Sequence, residues 1–407
     1  MFKTSPIRLA GSLASTALGV EFMQVAVPVL ASSYLGLTAS QTGWVLATRY
    51  LPIFLIGLFV GAFLDRVSLP RALRLFNILG GIGAALFSLL ILNDAADVYA
   101  LMLLTFIVGT IKLVTDTASA TIVPLMVEKK EFLNLNSTLI SSQSVAKLVA
   151  PLIAGSSLSL IGAGAGLLIQ SSTFFLAFLL FFGLRIEVVR KEPEPFSTAT
   201  LISEVKEGVE LIFYDKNLRW LVLTACCWNF IAETIISYVL VYSTQILYLS
   251  AVEVGACLAV GGASFLVGSL SSRYLLRFFS FKCAIIASMC APVFAGLLLV
   301  LLNISGVYPV VMVCAVFASM NYAASIHMVS SLSERQIQTP ITALGRVQAA
   351  SRLMMSGVMP IGSIMGTSLI RIKGEYSALI GIFLASFFLL GIVAVLSRHT
   401  DLQRSNA

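Results

Sequence analysis

The sequence predicts an all-α integral membrane protein, with about twelve transmembrane helices in two six-helix, pseudo-symmetric halves. Three observations carry this expectation. Of the 407 residues, 58% are hydrophobic and only 11% charged, against roughly a quarter charged in a typical soluble domain. The apolar residues gather in runs of about 20, the length that crosses a hydrocarbon core. The second half repeats landmarks of the first at a nearly constant offset. A soluble chain of this length needs more polar surface than 26 Lys+Arg and 19 Asp+Glu supply. A chain dissolved in lipid instead turns apolar side chains outward as well as inward.

The runs fall near residues 9–32, 42–64, 72–93, 98–120, 138–160, 163–184, 218–242, 252–276, 283–303, 307–330, 346–370 and 376–397. Pro28, Pro52, Pro151, Pro292 and Pro360 lie inside them; a soluble helix breaks at such a residue, whereas neighbouring membrane helices rescue it. The first run follows Lys3 and Arg8, and Val29-Leu30-Ala31 resembles a signal cleavage site. Its apolar stretch exceeds the roughly 7–15 residues of a signal core and contains Glu21, so it reads as a retained span.

Charge then orients the runs. Lys3, Arg66, Arg71, Arg74, Lys129, Lys130, Arg190, Lys191, Arg273, Arg277, Lys282 and Arg398 fall on one side, while the other has Arg371 and Lys373. The positive-inside bias therefore predicts cytoplasmic termini and a multi-pass protein of a cell membrane, such as a bacterial inner membrane. It also accounts for the net charge of +7 without a nucleic-acid partner, which would need a clustered basic face. The six cysteines lie in or beside apolar runs and only His327 and His399 are present. Neither a disulfide framework nor a metal site is expected, and no cofactor is implied.

The longest polar stretch divides the chain into an N-terminal bundle (1–184), a linker (185–217) and a C-terminal bundle (218–407). Within the linker, Leu201, Val205, Val209, Ile212 and Phe213 recur at helical spacing opposite Glu204, Lys206, Glu207 and Glu210. Such a helix lies on the membrane surface or folds onto the protein. Gly61 with Arg66 recurs as Gly268 with Arg273, and Pro151-Leu-Ile-Ala-Gly as Pro360-Ile-Gly-Ser-Ile, at offsets of 207 and 209. Parallel six-helix repeats place a substrate site near the midplane, which points to transport of a small molecule.

Charges at helix centres cost about 2.5–3.5 kcal/mol on insertion scales, so each needs a partner, a cavity or a function. Glu21, Arg49, Lys112, Asp116, Lys147, Glu233 and Arg352 are in that position. At 1.5 Å per residue, Glu21 and Arg49 come out at the same depth, roughly 20 Å in. They form either a fixed ion pair or a cavity carboxylate with its counter-charge, able to exchange a proton. Lys112 and Asp116 are one turn apart on one face and suit a local pair, which with Lys147 nearby leaves an excess positive charge that either attracts an anionic substrate or is balanced by an acid of a neighbouring helix. Glu233 has no obvious local partner, and Arg352 is near enough to a helix end to snorkel. Phe174, Phe175, Phe178, Tyr238, Tyr242 and Tyr248 suit packing as well as they suit an amphipathic-ligand cavity.

The segment GAFLDRVSLPRALR, Gly61 to Arg74, resembles the loop motif of the major facilitator superfamily, with Ser68 in place of its usual second glycine and Leu69-Pro70 interrupting its basic run. The resemblance implies a conformational latch of Gly61, Asp65, Arg66 and Arg71, with Asp65 facing the start of the eleventh helix, where Arg346 lies; an acid there is favoured by the helix dipole. KLVAPLIAGS resembles the antiporter signature of the superfamily's exporters: Pro151 and Gly155 match, and Ala150 and Ala154 replace glycines. GVEFMQVAVPVL, TDTASATIVPLMV and GRVQAASRLMMSGVMPIGSIMG resemble the branch of macrolide-efflux and enterobactin-type siderophore exporters.

The resemblance to that branch implies a monomeric, proton-coupled exporter of amphipathic small molecules working by alternating access, relevant to drug resistance or siderophore export. An importer or a lipid-related transporter of the same fold is the alternative. A membrane-embedded enzyme would need a convergent nucleophile or metal constellation, and no intramembrane carboxylate comes with His or Cys ligands. A receptor is disfavoured by the repeat. With no nucleotide-binding loop in the chain, an ion gradient is the expected driving force.

Overall fold

The computed structural model describes residues 6–126, 132–182, 198–302, 308–339, 343–370 and 375–397. Among them every regular element is helical: α1 (Pro6–Val29), α2 (Ala39–Thr48), α3 (Leu51–Arg66), α4 (Leu69–Leu92), α5 (Val98–Met126), α6 (Phe132–Leu160), α7 (Gly162–Leu180), α8 (Thr198–Tyr214), α9 (Lys216–Gln245), α10 (Ala251–Phe278), α11 (Phe281–Ser288), α12 (Cys290–Leu302), α13 (Pro309–Gln338), α14 (Leu344–Gly357), α15 (Met359–Leu369) and α16 (Glu375–Leu396). Eight stretches of the described residues are long and apolar enough to cross a membrane. The others of the twelve predicted runs are α2 with α3, α6, α14 with α15, and α16.

Three predicted runs are not continuous helices. The second breaks at Arg49-Tyr50, the ninth at Met289 and the eleventh at Val358, each within three residues of Pro52, Pro292 or Pro360. Proline removes an amide donor and clashes with the preceding turn. Pro151 stays inside α6. Pro28 stays inside α1, but the helix widens after it into a π turn over Leu30–Tyr34. Proline displaces the ladder there, and Ser32 Oγ donates to the Pro28 carbonyl at 2.7 Å. Side chains set several helix starts. Thr38 and Gln41 form a capping box on α2, and Asp215 accepts from the Leu218 amide at 2.8 Å on α9. These contacts satisfy amides that the first helical turn leaves without partners.

The chain forms two compact units, Met1–Thr198 with Leu249–Ala259, and Ala199–Tyr248 with Val260–Ala407. In the first, α1 packs on α6 and α7, α4 on α7, and α5 on α3 and α4. In the second, α9 packs on α15, and α12 on α16 and α13. The pairings first-with-fifth, third-with-sixth and third-with-fourth thus recur as seventh-with-eleventh, ninth-with-twelfth and ninth-with-tenth. The repeated sequence landmarks correspond to a repeated packing pattern.

Small residues bring the helices together. Membrane helices gain little hydrophobic drive from meeting one another, so close van der Waals contact and interhelical hydrogen bonds hold them. Gln170 Nε2 donates to the Gly19 carbonyl at 2.9 Å, and Ser171 Oγ to that of Gly81 at 2.7 Å. A Cβ at Gly19 would come within 2.8 Å of the Phe174 ring. Phe174, Tyr238 and Tyr242 are buried, and the two tyrosines stack with ring centroids 5.4 Å apart; Tyr248 is exposed.

The linker helix α8 does not stand apart. Ile212 is fully buried, and with Val205 and Val209 it packs against Leu218 and Val222 of α9 and Val347 and Ala350 of α14. Of the two placements open to this amphipathic helix, its apolar face takes the one on the protein. Phe213 remains exposed.

At the break in the second run, the Arg49 carbonyl is seated against Gly109 of α5, where a Cβ would run into it. Overpacking against immobile backbone costs roughly 1–3 kcal/mol. Gly109→Ala is therefore expected to lower the thermal midpoint of the purified protein by several degrees. Gly11→Ala, with nothing near its Cβ, leaves the midpoint unchanged or slightly raises it.

Candidate functional site

The first unit gathers most of the charges that the sequence places inside the membrane. Glu21 and Gln24 are one turn apart on α1. Arg49 is the C-terminal cap of α2, where the carbonyl end of the helix dipole favours a cation. The helix break thus supplies the position for the charge. Gln24 joins the two: its Oε1 accepts from Arg49 Nη1 at 3.1 Å, and its Nε2 donates to Glu21 Oε2 at 3.4 Å. Only this amide orientation turns an acceptor to the guanidinium and a donor to the carboxylate. All three side chains are half-buried. The Arg49 guanidinium also lies over the Tyr50 ring, 4.7 Å from its centroid.

Lys147, half-buried on α6, feels the charges of Glu21, Lys112 and Asp116. The sequence treats Glu21–Arg49 and Lys112–Asp116–Lys147 as separate groups; Lys147 links them. Lys112 Nζ is 3.3 Å from Asp116 Oδ2, with 53% and 34% of the two side chains exposed. Exposure limits the strength of this pair but keeps it within reach of a ligand. Together the groups are three bases, Arg49, Lys112 and Lys147, against two acids, Glu21 and Asp116. Such a site holds a titratable carboxylate beside a surplus of positive charge.

Glu233 is separate, in the second unit, with 4% exposure. The structure supplies the partner that the sequence does not show: Ser237 Oγ lies 3.1 Å from Glu233 Oε1 and 3.0 Å from Ser363 Oγ of α15. Close approach makes this network possible. A Cβ at Gly362 would come within 2.6 Å of the Phe230 carbonyl, and one at Gly366 would strike that of Thr234.

Of the latch residues, Arg71 is exposed, while the surroundings of Gly61 and the side chains of Asp65 and Arg66 lie outside what the structure describes. Arg346, at the start of α14, forms an ion pair with Glu207 of α8. The start of α14, which the resemblance expects Asp65 to face, is held by the linker helix, a contact with no sequence signal beyond the acidic face of α8. In the antiporter-like segment, a Cβ at Gly155 would meet the Ala251 carbonyl, and one at Gly255 would meet that of Pro151. The reciprocal contact presses α6 against the first turns of α10, with Gly255 as the partner that sequence reasoning missed. Gln24 was missed too, although its three-residue spacing from Glu21 was visible. Among the described residues no group of three or more His, Cys, Asp or Glu is placed to hold a metal.

A model of the Major Facilitator Superfamily matches residues 9–339. Among solved structures, the chain is similar to a point mutant of the nucleoside transporter NupG, at 14% identity and TM-score 0.75 over 96% of this chain and 99% of that one. It is also similar to a bacterial homolog of the human lysosomal transporter Spinster, at 17% identity and TM-score 0.68 over 97% and 96%. A bacterial homologue of the iron transporter ferroportin matches at 15% and 0.69 over 96% and 98%. At these identities the likeness is one of fold. No curated protein matches the chain significantly.

The bridge through Gln24 is open to a double-mutant cycle. Gln24→Leu and Arg49→Met should be non-additive by about 1–2 kcal/mol in thermal or denaturant stability, as for a charge-assisted hydrogen bond. The longer Gln24–Glu21 contact should give a smaller coupling. Strict additivity for Gln24 and Arg49 would remove the bridge.

Proposed function

Because the chain belongs to the Major Facilitator Superfamily, and is thus a membrane transporter rather than an enzyme, we propose that it exports amphipathic small molecules, drug-like or siderophore-like, in exchange for protons. The observation that carries this reading is the Glu21–Gln24–Arg49 bridge with Lys147 beside it. A charge inside an apolar bundle is expensive, and those that persist are held in pairs or mark ion and proton pathways; this reading takes Glu21 as the coupling carboxylate. Protonating Glu21 removes the one negative charge on α1 that Lys147 and, through Gln24, Arg49 face. The balance among α1, α2 and α6 then shifts, and a conformational equilibrium shifts with it when the two states differ in that contact.

Export rather than import is supported by the likeness of the segment holding Pro151 and Gly155 to the antiporter signature. Asp65 acts in this reading as the latch of a closed state. The protein works as a monomer in a cell membrane, with both termini in the cytoplasm.

The test uses everted vesicles and a panel of dyes, macrolides and siderophores, with a protonophore control. Wild-type protein should concentrate at least one panel member when the vesicle interior is acidified. Glu21→Gln keeps the shape and loses the proton, so gradient-driven transport should fall at least about tenfold, or ~1.4 kcal/mol in the driving step, in a protein that still inserts and folds. A well-folded Glu21→Gln protein that responds normally to the gradient would overturn the coupling role. In the same vesicles Asp65→Asn should slow turnover several-fold without loss of inserted protein.

A further inference from the structure

The second unit buries a cation that no acid among the described residues neutralises. Arg335, in the last turns of α13, is 5% exposed. Its Nη1 meets only a thioether, Met355 Sδ of α14, at 3.2 Å, and its Nε has no partner. Glu334, adjacent in sequence, is taken up by Gln338 Nε2 at 2.8 Å. The groups electrostatically coupled to Arg335 are His327 and Cys226, neither of them a carboxylate.

The polar groups nearby share this condition. Ser331 Oγ, Gln348 Nε2 and Ser351 Oγ are buried and lack hydrogen-bond partners. Ser331 lies one turn before Arg335 on α13, while Gln348 and Ser351 precede Met355 at one-turn steps on α14. The Arg335–Met355 contact therefore joins two polar helix faces. α9 closes the cluster: Cys226 and Met355 pack against one apolar cluster, and the Met355 carbonyl accepts from Asn229 Nδ2 at 2.9 Å.

The four unpartnered groups can all donate. A guanidinium and an amide nitrogen do nothing else, and the hydroxyls donate when offered an acceptor. An unpaired charge and orphaned donors in a protein interior are both costly. Water would satisfy the donors but not the charge. A group with several acceptor oxygens and a negative charge satisfies both.

We propose that this cluster is an oxyanion site that takes a carboxylate or phosphate group, with Arg335 supplying the charge and Gln348, Ser351 and Ser331 the orienting hydrogen bonds. It belongs to the second unit and shares no residue with the Glu21 cluster. It rests on α14, the helix that α8 grips through Glu207 and Arg346, so occupancy bears on the element to which the linker is fastened.

The experiment measures thermal unfolding of the full-length protein in nanodiscs of phosphatidylcholine alone. Inorganic phosphate, sulfate and acetate are titrated against chloride at matched ionic strength. A free anion as ligand should raise the midpoint saturably by several degrees over chloride. An anionic lipid headgroup as ligand, its phosphate not neutralised by a choline of the same headgroup, should instead give that rise on adding phosphatidylglycerol to the discs, with little further effect of inorganic phosphate. Arg335→Gln should abolish either response and, in phosphatidylcholine with chloride, should be at least as stable as wild type, because an uncompensated charge has gone. Gln348→Leu and Ser351→Ala should weaken the half-saturating concentration about tenfold, the loss of one hydrogen bond to a charged group. They decide the matter if Arg335→Gln does not fold. A wild type indifferent to both oxyanions and anionic lipid, or variants that respond as wild type does, would overturn the site.

Discussion

Hydrocarbon offers no hydrogen bonds, and every feature of this protein answers that constraint. Helices satisfy their own backbone, so the described residues contain nothing else that is regular. The cost concentrates where a helix is interrupted. Pro28 has no amide to give the Gln24 carbonyl, and the chain responds with a π turn and with Ser32 bonded back to Pro28. At Arg49-Tyr50 the second run stops and restarts, and Gly109 makes room for the carbonyl at the break. The same interruption gives Arg49 a helix C-terminus on which a cation is welcome. A defect in the ladder and a candidate working residue thus occupy one position.

The same constraint governs the side chains, and the two units meet it differently. In the first, acids and bases from α1, α2, α5 and α6 offset one another in part, through Gln24 and through the Lys112–Asp116 pair. Partial compensation of this kind makes a charge tolerable in lipid. In the second, Glu233 is buried with hydroxyls for company, while Arg335 is buried with a sulfur. The hydroxyls give Glu233 a polar network inside the protein; the sulfur leaves Arg335 in need of a partner of opposite charge.

Packing by small residues gives both units the closeness these networks need. Gly155 and Gly255, Gly362 and Gly366 each bring a backbone carbonyl to where a side chain would otherwise stand. A substitution at such a place displaces a helix, not a side chain. It is felt wherever that helix carries a functional group, as α15 does with Ser363 beside the Glu233–Ser237 pair.

Sequence alone determined the solvent, the helical class, the approximate spans and the repeat, because each depends on counts and spacings that survive without coordinates. It also marked the expensive residues, since a charge in a long apolar run is visible as such, and the motifs around Gly61 and Pro151 pointed to the family that the match over residues 9–339 shows. Tertiary structure decided which charges meet. That Gln24 carries Glu21 to Arg49, that Lys147 comes within reach of the charge of Glu21, that Glu233 finds Ser237 and Ser363, and that α8 folds onto α9 and α14 all depend on which face of one helix touches which face of another. Hydrophobic periodicity does not encode that choice in a membrane, where the lipid-facing and buried sides of a helix are equally apolar. It is made instead by a few glycines and by hydrogen bonds between residues more than a hundred positions apart, such as Gln170 with Gly19 and Ser237 with Ser363.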